Sequence, residues 1–133
     1  MTAMPGRLLV VDDDVHIRRL IKFFLRDAQY ELAEAATGEE ALQLTRRQAF
    51  DVVLVDLILP NYGGSRLCQK LKSDSARPPR VIIVSGDDSQ QSRDVAVEVK
   101  ADGFLAKPFT REELIAAVQS GGKPPHSEGS RQL

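Results

Sequence analysis

The chain has 133 residues and a formal net charge of −1, enough for one domain of about 100–200 residues with its own core, and it lacks the basic excess of a dedicated nucleic-acid binder. Its only cysteine, Cys68, excludes an internal disulfide and suits a reducing compartment. Met1–Arg7 is too short and polar for a signal peptide, and no apolar run approaches the ~20 residues of a membrane helix, so the expectation is a soluble, cytoplasmic domain with no membrane or direct nucleic-acid partner.

The first expected element is the aliphatic strand Leu8–Val11, LLVV. His16–Arg26 comes next as a helix, with Ile17, Leu20, Ile21, Phe24 and Leu25 spaced to share one face. Tyr30–Ala35 alternates weakly and reads as a second strand. Thr37 and Glu40 have capping-box spacing, which predicts a helix to about Arg47. Val52–Val55 is a third strand, and Gly64–Lys72 a short helix with Leu67, Cys68 and Leu71 inward. Val81–Val84, VIIV, is a fourth strand. Gln90–Lys100 reads as a helix despite its β-branched valines. Phe104–Ala106 is a fifth strand, and a second capping box at Thr110 and Glu113 opens a helix to Gln119. From Ser120 the composition is Gly, Pro, Ser and charge, as in a disordered tail. The expected organisation is a tail over 1–6, one domain over 7–120 and a disordered tail over 121–133.

Strands alternate with helices, and the best strands are unbroken Val/Ile/Leu runs rather than alternating ones. A parallel sheet covered on both faces reads this way. The expected fold is a doubly wound α/β sheet of five strands.

Each of the strong strands runs directly into polar residues. Asp12, Asp13 and Asp14 come after LLVV, Asp56 after VVLV, Ser85 and Gly86 after VIIV, and Lys107 and Pro108 after FLA. In an open parallel sheet these carboxyl ends share one edge, where ligands bind. Clustered carboxylates repel one another unless a cation intervenes. An all-oxygen set suits a hard ion, magnesium by preference, with manganese as the alternative. His16 and His126 stand alone, so no zinc set competes. Lys107 is placed to pair with Asp56 at rest and to meet an added phosphoryl oxygen, and Ser85 to donate to another. An in-line nucleophile, a metal and a cation are what phosphoryl transfer requires. Asp56 is the candidate nucleophile, since carboxylates form aspartyl phosphates.

With LLVVDDD, AATGEEAL, VLVDLILP, Gly64, VIIVSG and GFLAKPF, the chain resembles the receiver domains of bacterial two-component response regulators over about Arg7–Gln119. The resemblance implies the flavodoxin-like strand order 2-1-3-4-5. It implies Asp56 as phosphoacceptor, Asp12 and Asp13 as magnesium-holding acids, and the Ile58 carbonyl as a further ligand. Ser85 and Lys107 resemble the phosphate-contacting pair, and Phe104 stands at the aromatic switch position, acting with Ser85 on surfaces around the fourth helix, fifth strand and last helix. Pro108 in cis is also implied. The implied partners are a sensor histidine kinase or histidine phosphotransfer protein and a downstream protein target, with the domain a monomer or a phosphorylation-dependent dimer.

Several positions depart from that pattern: Leu59 precedes Pro60 where Met is frequent, Gly63 precedes Gly64 where Asp is frequent, Gly86 follows Ser85 where Ala is common, and Phe104 lacks a tyrosine hydroxyl. Gly63 and Gly86 are expected to loosen the loops beside the site. Ile58 offers an in-line water no hydrogen bond, and Asp87 is the candidate for that task.

Among the remaining residues, Asp14 reads as a helix-start residue, and Cys68 and Phe109 as core. Phe23 lies off the apolar stripe among Arg18, Arg19, Lys22 and Arg26. Two readings apply, a solvated basic face with one stray aromatic or a partner-docking patch of Phe23, Arg19 and Lys22. Competing functions are an aspartyl-phosphate phosphatase, which Ile58 disfavours for want of a proton to give; a nucleotide or flavin module, disfavoured by the missing Gly-rich loop after LLVV; and an adaptor working unphosphorylated. The ~13 residues after the last helix are too few for a DNA-binding domain. The expectation is therefore a stand-alone regulator or a receiver from a longer chain.

Overall fold

The computed structural model describes residues 6–59, 63–74 and 76–120. Strands β1 (Gly6–Val11), β2 (Tyr30–Ala35), β3 (Val52–Asp56), β4 (Arg80–Ser85) and β5 (Gly103–Ala106) pair in parallel in the order β2-β1-β3-β4-β5. Helices α1 (Val15–Phe24), α2 (Gly38–Arg47), α3 (Gly64–Ser73), α4 (Gln90–Glu98) and α5 (Arg111–Ser120) connect or follow them. This is the expected doubly wound sheet.

The unbroken aliphatic runs have a direct cause. Successive side chains of a strand point to opposite faces, and helices cover both faces here. Leu9, Val11, Val53, Val55, Val81 and Ile83 pack with residues of α2, α3 and α4, including Ala41, Leu67, Cys68 and Ala96. Leu8, Val10, Val52, Leu54, Ile82 and Val84 pack with Ile21 and Leu25 at the α1 end and with Leu114, Ala117 and Val118 of α5. Along these runs of β1, β3 and β4 neither face meets water, so neither is polar.

Helix ends follow local chemistry. Asp14 caps α1, its side chain accepting from the His16 amide. Thr37 Oγ1 accepts from the Glu40 amide, while Glu40 Oε1 accepts from Ala36 N. Thr110 and Glu113 form the reciprocal box, each side chain accepting from the other's amide. The second box closes as its spacing predicts, whereas at α2 the Thr37 cap forms and Glu40 reaches one residue further back, to Ala36.

Some boundaries differ from expectation. Gly6 pairs with Tyr30 and so opens β1 rather than closing a tail. Helix α4 ends at Glu98, two residues early, because the chain turns there through Lys100 at a φ of +64°. Leu20 is 37% exposed rather than inward. The buried edge of α1 runs through Ile21, and Leu20 is turned about 100° from it around the helix. Pro60 and the expected tail over 121–133 lie outside the described residues. Among the described residues no helix is long and apolar enough to cross a membrane.

Candidate phosphoryl-transfer site

The sheet order brings the polar strand ends together. β1 and β3 are neighbours, in register at Val11 and Val55, so Asp12 and Asp56 emerge side by side. Ser85 ends β4 beside them, and Lys107 follows β5. Asp12, Asp13 and Asp56 each present a carboxylate oxygen within 4.8 Å of the others. Asp12 is buried, Asp56 half-buried and Asp13 exposed. Lys107 Nζ donates to Asp12 Oδ2 at 3.0 Å, across 95 residues of sequence, and lies 3.6 Å from Asp56 Oδ2. The expected Lys107–Asp56 pair is therefore present, but Asp12 holds the shorter contact.

Each acid is further fixed by backbone amides. Asp12 Oδ1 accepts from Asp14 N at 2.9 Å, and Asp56 Oδ1 accepts from Ile58 N at 3.1 Å. Burial lifts the Asp56 pKa above its ordinary value. The Ile58 amide opposes that shift, the Asp12 charge adds to it, and Lys107 offsets part of it. Burial alone would depress the Lys107 pKa, yet the Asp12 hydrogen bond and the Asp56 and Asp12 charges outweigh it and raise it. The lysine is thus a firm cation and the acids are under mutual repulsion. A hard divalent ion fits such a site: the donors are all carboxylate oxygens at ligand spacing, and a second positive charge relieves the crowding.

Ser85 is buried, and its hydroxyl donates to the Asp87 carbonyl and accepts from the Asp87 amide, both at 3.0 Å. Asp87 departs from expectation. Its carboxylate accepts from Ser89 N at 2.9 Å and Ser92 Oγ at 3.0 Å, contacts that lower its pKa and turn it toward the start of α4. These contacts make it a brace of the loop that leads into α4. Lys107 N donates to the Ser85 carbonyl at 2.8 Å, and the Lys107–Pro108 peptide is cis.

Phe104 lies in the core, with the Arg93 guanidinium 4.7 Å from its ring centroid. Cys68 is buried, which pushes its thiol up to about 12, and Phe109 is core as expected. On α1, Phe23 is 58% exposed and the Arg26 guanidinium lies 4.1 Å over its ring. Arg19 is exposed, whereas Lys22 donates to Glu34 at 2.8 Å.

Two residues escaped sequence reasoning. Arg18 Nη1 donates to the Asp12 carbonyl at 2.7 Å, although the sequence offered it only as part of a basic face. Gly64, noted only as fitting the pattern, packs against the site's own backbone: a Cβ there would run into the carbonyl groups of Asp56 and Leu57. Gly63 sits at a φ of +89°, a conformation that favours glycine, so its effect is to form the turn.

Residues 8–119 match the family described as response regulator receiver domain. A probable transcriptional regulator, ycf27 of Porphyridium aerugineum, is 34% identical over 114 residues, 86% of this chain and 47% of that protein. The regulatory protein VanR of Enterococcus faecium is 30% identical over 117 residues, 88% of this chain and 50% of that protein. The chain thus spans about half the length of the curated relatives it matches. Among solved structures, the BeF3-activated receiver domain of DrrB, from Thermotoga maritima, superposes with a TM-score of 0.79 at 31% identity, covering 87% of this chain and 96% of that one. The chemotaxis response regulator CheY4 of Vibrio cholerae superposes with a TM-score of 0.80 at 29% identity, covering 86% and 97%. By sequence over nearly all its described length and by fold, the chain belongs to the response regulator receiver domain family.

Proposed function

We propose that this receiver domain accepts a phosphoryl group on Asp56 from a sensor histidine kinase or histidine phosphotransfer protein, and passes the change to a downstream protein target. The observation that carries the reading is the Asp12–Asp13–Asp56 cluster with Lys107 bridging two of its members. A receiver domain is a signalling module, and the absence of a proton donor at Ile58 argues against a phosphatase.

In the transfer, an Asp56 carboxylate oxygen forms the bond to phosphorus as the phosphorus–nitrogen bond of the donor phosphohistidine breaks, its electron pair leaving on the imidazole. Lys107 stands ready to meet the charge spreading over the phosphoryl oxygens. Asp12 and Asp13, with Asp56 and the Ile58 carbonyl, would hold magnesium, or manganese in its place. When bound, that ion neutralises phosphoryl and carboxylate oxygens together. Ser85 would contact another phosphoryl oxygen, and to do so must release Asp87. That release, coupled to Phe104, is the proposed route to the surface of α4, β5 and α5. An unphosphorylated adaptor would keep the fold and use none of this.

The test is direct. With acetyl phosphate and magnesium, intact mass rises by one phosphoryl group in the parent and stays unchanged with chelator or in Asp56→Asn. Beryllofluoride with magnesium then shifts amide NMR signals across about residues 90–119, and Ser85→Ala suppresses those shifts. Equal labelling of Asp56→Asn defeats the acceptor assignment, and shifts confined to the loops of Asp12, Asp56 and Lys107 defeat the switch.

The exposed face of α1 is the proposed donor-docking patch, with Phe23, Arg19 and Lys22 on it. Phe23 is exposed, as both the docking patch and the solvated basic face require, and Arg26 stacks on its ring, while the Lys22–Glu34 contact reduces what Lys22 offers. Phe23→Ser is expected to slow transfer from the cognate kinase about tenfold, the effect of losing roughly 1.4 kcal/mol of contact. Labelling by acetyl phosphate should keep its parent rate. Equal loss in both assays would mean that the helix was damaged instead.

A further inference from the structure

We infer that Arg18, backed by Glu34 and Lys22, is the positioning bracket of the acid pair at the end of β1; the inference rests on the metal-dependent acceptor reading above. Arg18 lies on the first turn of α1 with its side chain only 15% exposed. One arm of its guanidinium, Nη1, donates to the Asp12 carbonyl at 2.7 Å, and Nε donates to Glu34 Oε1 at 2.9 Å. Glu34, on β2, takes Lys22 Nζ on its other oxygen at 2.8 Å. The Lys22 hydrogen bond and then that of Arg18 hold its carboxyl below the usual range, against the opposing effect of burial, so the bracket is ionised at neutral pH.

The carbonyl that Arg18 grips belongs to the peptide joining Asp12 to Asp13. Since that unit is planar and carries the Cα atoms of both acids, holding its oxygen restrains the backbone from which both side chains leave. The rest of Asp12 is held elsewhere: its amide donates to Ala35 O at 3.1 Å, and its carboxylate takes Asp14 N and Lys107 Nζ. Among the described contacts of that peptide oxygen, Arg18 is the donor supplied by α1. A guanidinium suits this task because its rigid fork meets two acceptors in fixed directions, which a lysine ammonium on a flexible stem does not. Partners behind metal ligands typically change metal affinity by about 10–100-fold when removed. Arg18 acts through backbone, so the lower end of that range applies.

The variants are Arg18→Met, which keeps the apolar stem, Arg18→Lys, and Arg46→Met on the exposed face of α2 as a charge control. In metal-free protein, the exchange rate of the Asp14 amide, which donates to Asp12, reports on loop order. Magnesium titration followed by amide NMR reports on affinity. Arg18→Met is expected to exchange several-fold faster at Asp14 and to bind magnesium about tenfold more weakly. Arg18→Lys should fall between it and the parent, and Arg46→Met should match the parent. An Arg18→Met protein that melts lower but keeps parent exchange and parent affinity would overturn the inference, leaving Arg18 a tie between α1 and β2. A parent chain whose acid loops give no response to magnesium would instead count against the metal reading, and the metal-free exchange arm would still decide the role of Arg18.

Discussion

Lys107→Met is expected to slow phosphorylation of Asp56 by acetyl phosphate about 100-fold or more, the scale on which removing one preorganised charge-stabilising donor acts. The same variant should lose folding stability in chelator at pH 7, because the Asp12 and Asp56 carboxyl groups lose their shared cation. Removing one member of a buried pair costs about 3–5 kcal/mol. Lys107 is 20% exposed, so water screens part of this and about 1–3 kcal/mol is the expectation here. The pH dependence has a definite sign. The folded pKa of Asp56 is raised, so its ionised form disfavours the fold, and that cost appears as pH rises through the ordinary carboxylate range. Without Lys107 the cost grows, so the deficit of the variant should shrink as pH falls through that range. The folded pKa of Lys107 is also raised, so its own contribution is complete at pH 7 and fades only in strong alkali. Magnesium should restore much of the lost stability, since a second cation then faces the acids. Thermal melts over pH with and without magnesium, beside initial labelling rates, check all of this. A deficit of constant size at every pH and metal level would make Lys107 a packing residue.

Gly64→Ala is expected to be the costliest methyl addition near the site. Its Cβ would meet the Leu57 carbonyl carbon at 2.7 Å and the Asp56 carbonyl oxygen closer still, and both are backbone. Flexible side chains give way cheaply to such a group, but a strand end does not. The expected loss is about 1–3 kcal/mol, or roughly 3–12 °C in the melting midpoint. Labelling should slow as well, because the displaced peptide carries Asp56. Gly86→Ala is the control: an added Cβ there meets nothing within 4 Å, and the variant should melt like the parent. Equal melting of the two variants would show that the close approach is relaxed in solution.

Much of this was legible in the sequence because parallel sheets leave plain marks. The unbroken VVLV and VIIV runs required cover on both faces, and two separate cores supply it. Once those strands were parallel, Asp12, Asp56, Ser85 and Lys107 had to share an edge, since each comes directly after its strand's aliphatic run. Helix caps are local, and those at Thr37 and Thr110 read correctly as spacing. The features that escaped were decided between elements. Helical periodicity placed Leu20 within an apolar stripe, but only the tilt of α1 against the sheet determines which edge of a stripe stays wet. Two acids competed for Lys107, and a fraction of an ångström in loop position favoured Asp12. Asp87 was read as facing the site because it lies just past Ser85, whereas the start of α4 supplied two better donors. Arg18 looked like any surface arginine, since nothing local signals a side chain that reaches back six residues to a carbonyl.

The 95-residue span between Asp12 and Lys107 bears on how the domain comes into being. Contacts so distant along the chain carry a loop-closure cost before they return anything, and topologies rich in them fold slowly. A nascent chain holds all three acids long before it holds the lysine that neutralises them. Until β5 docks at the sheet edge, the acids face one another without that counter-charge. On the proposed reading, phosphoryl uptake would in this sense be a certificate of completion: a receiver truncated before its fifth strand, or unravelled from its C-terminal end, loses α5 and then Lys107 while Asp12, Asp13 and Asp56 still stand on the remaining strands.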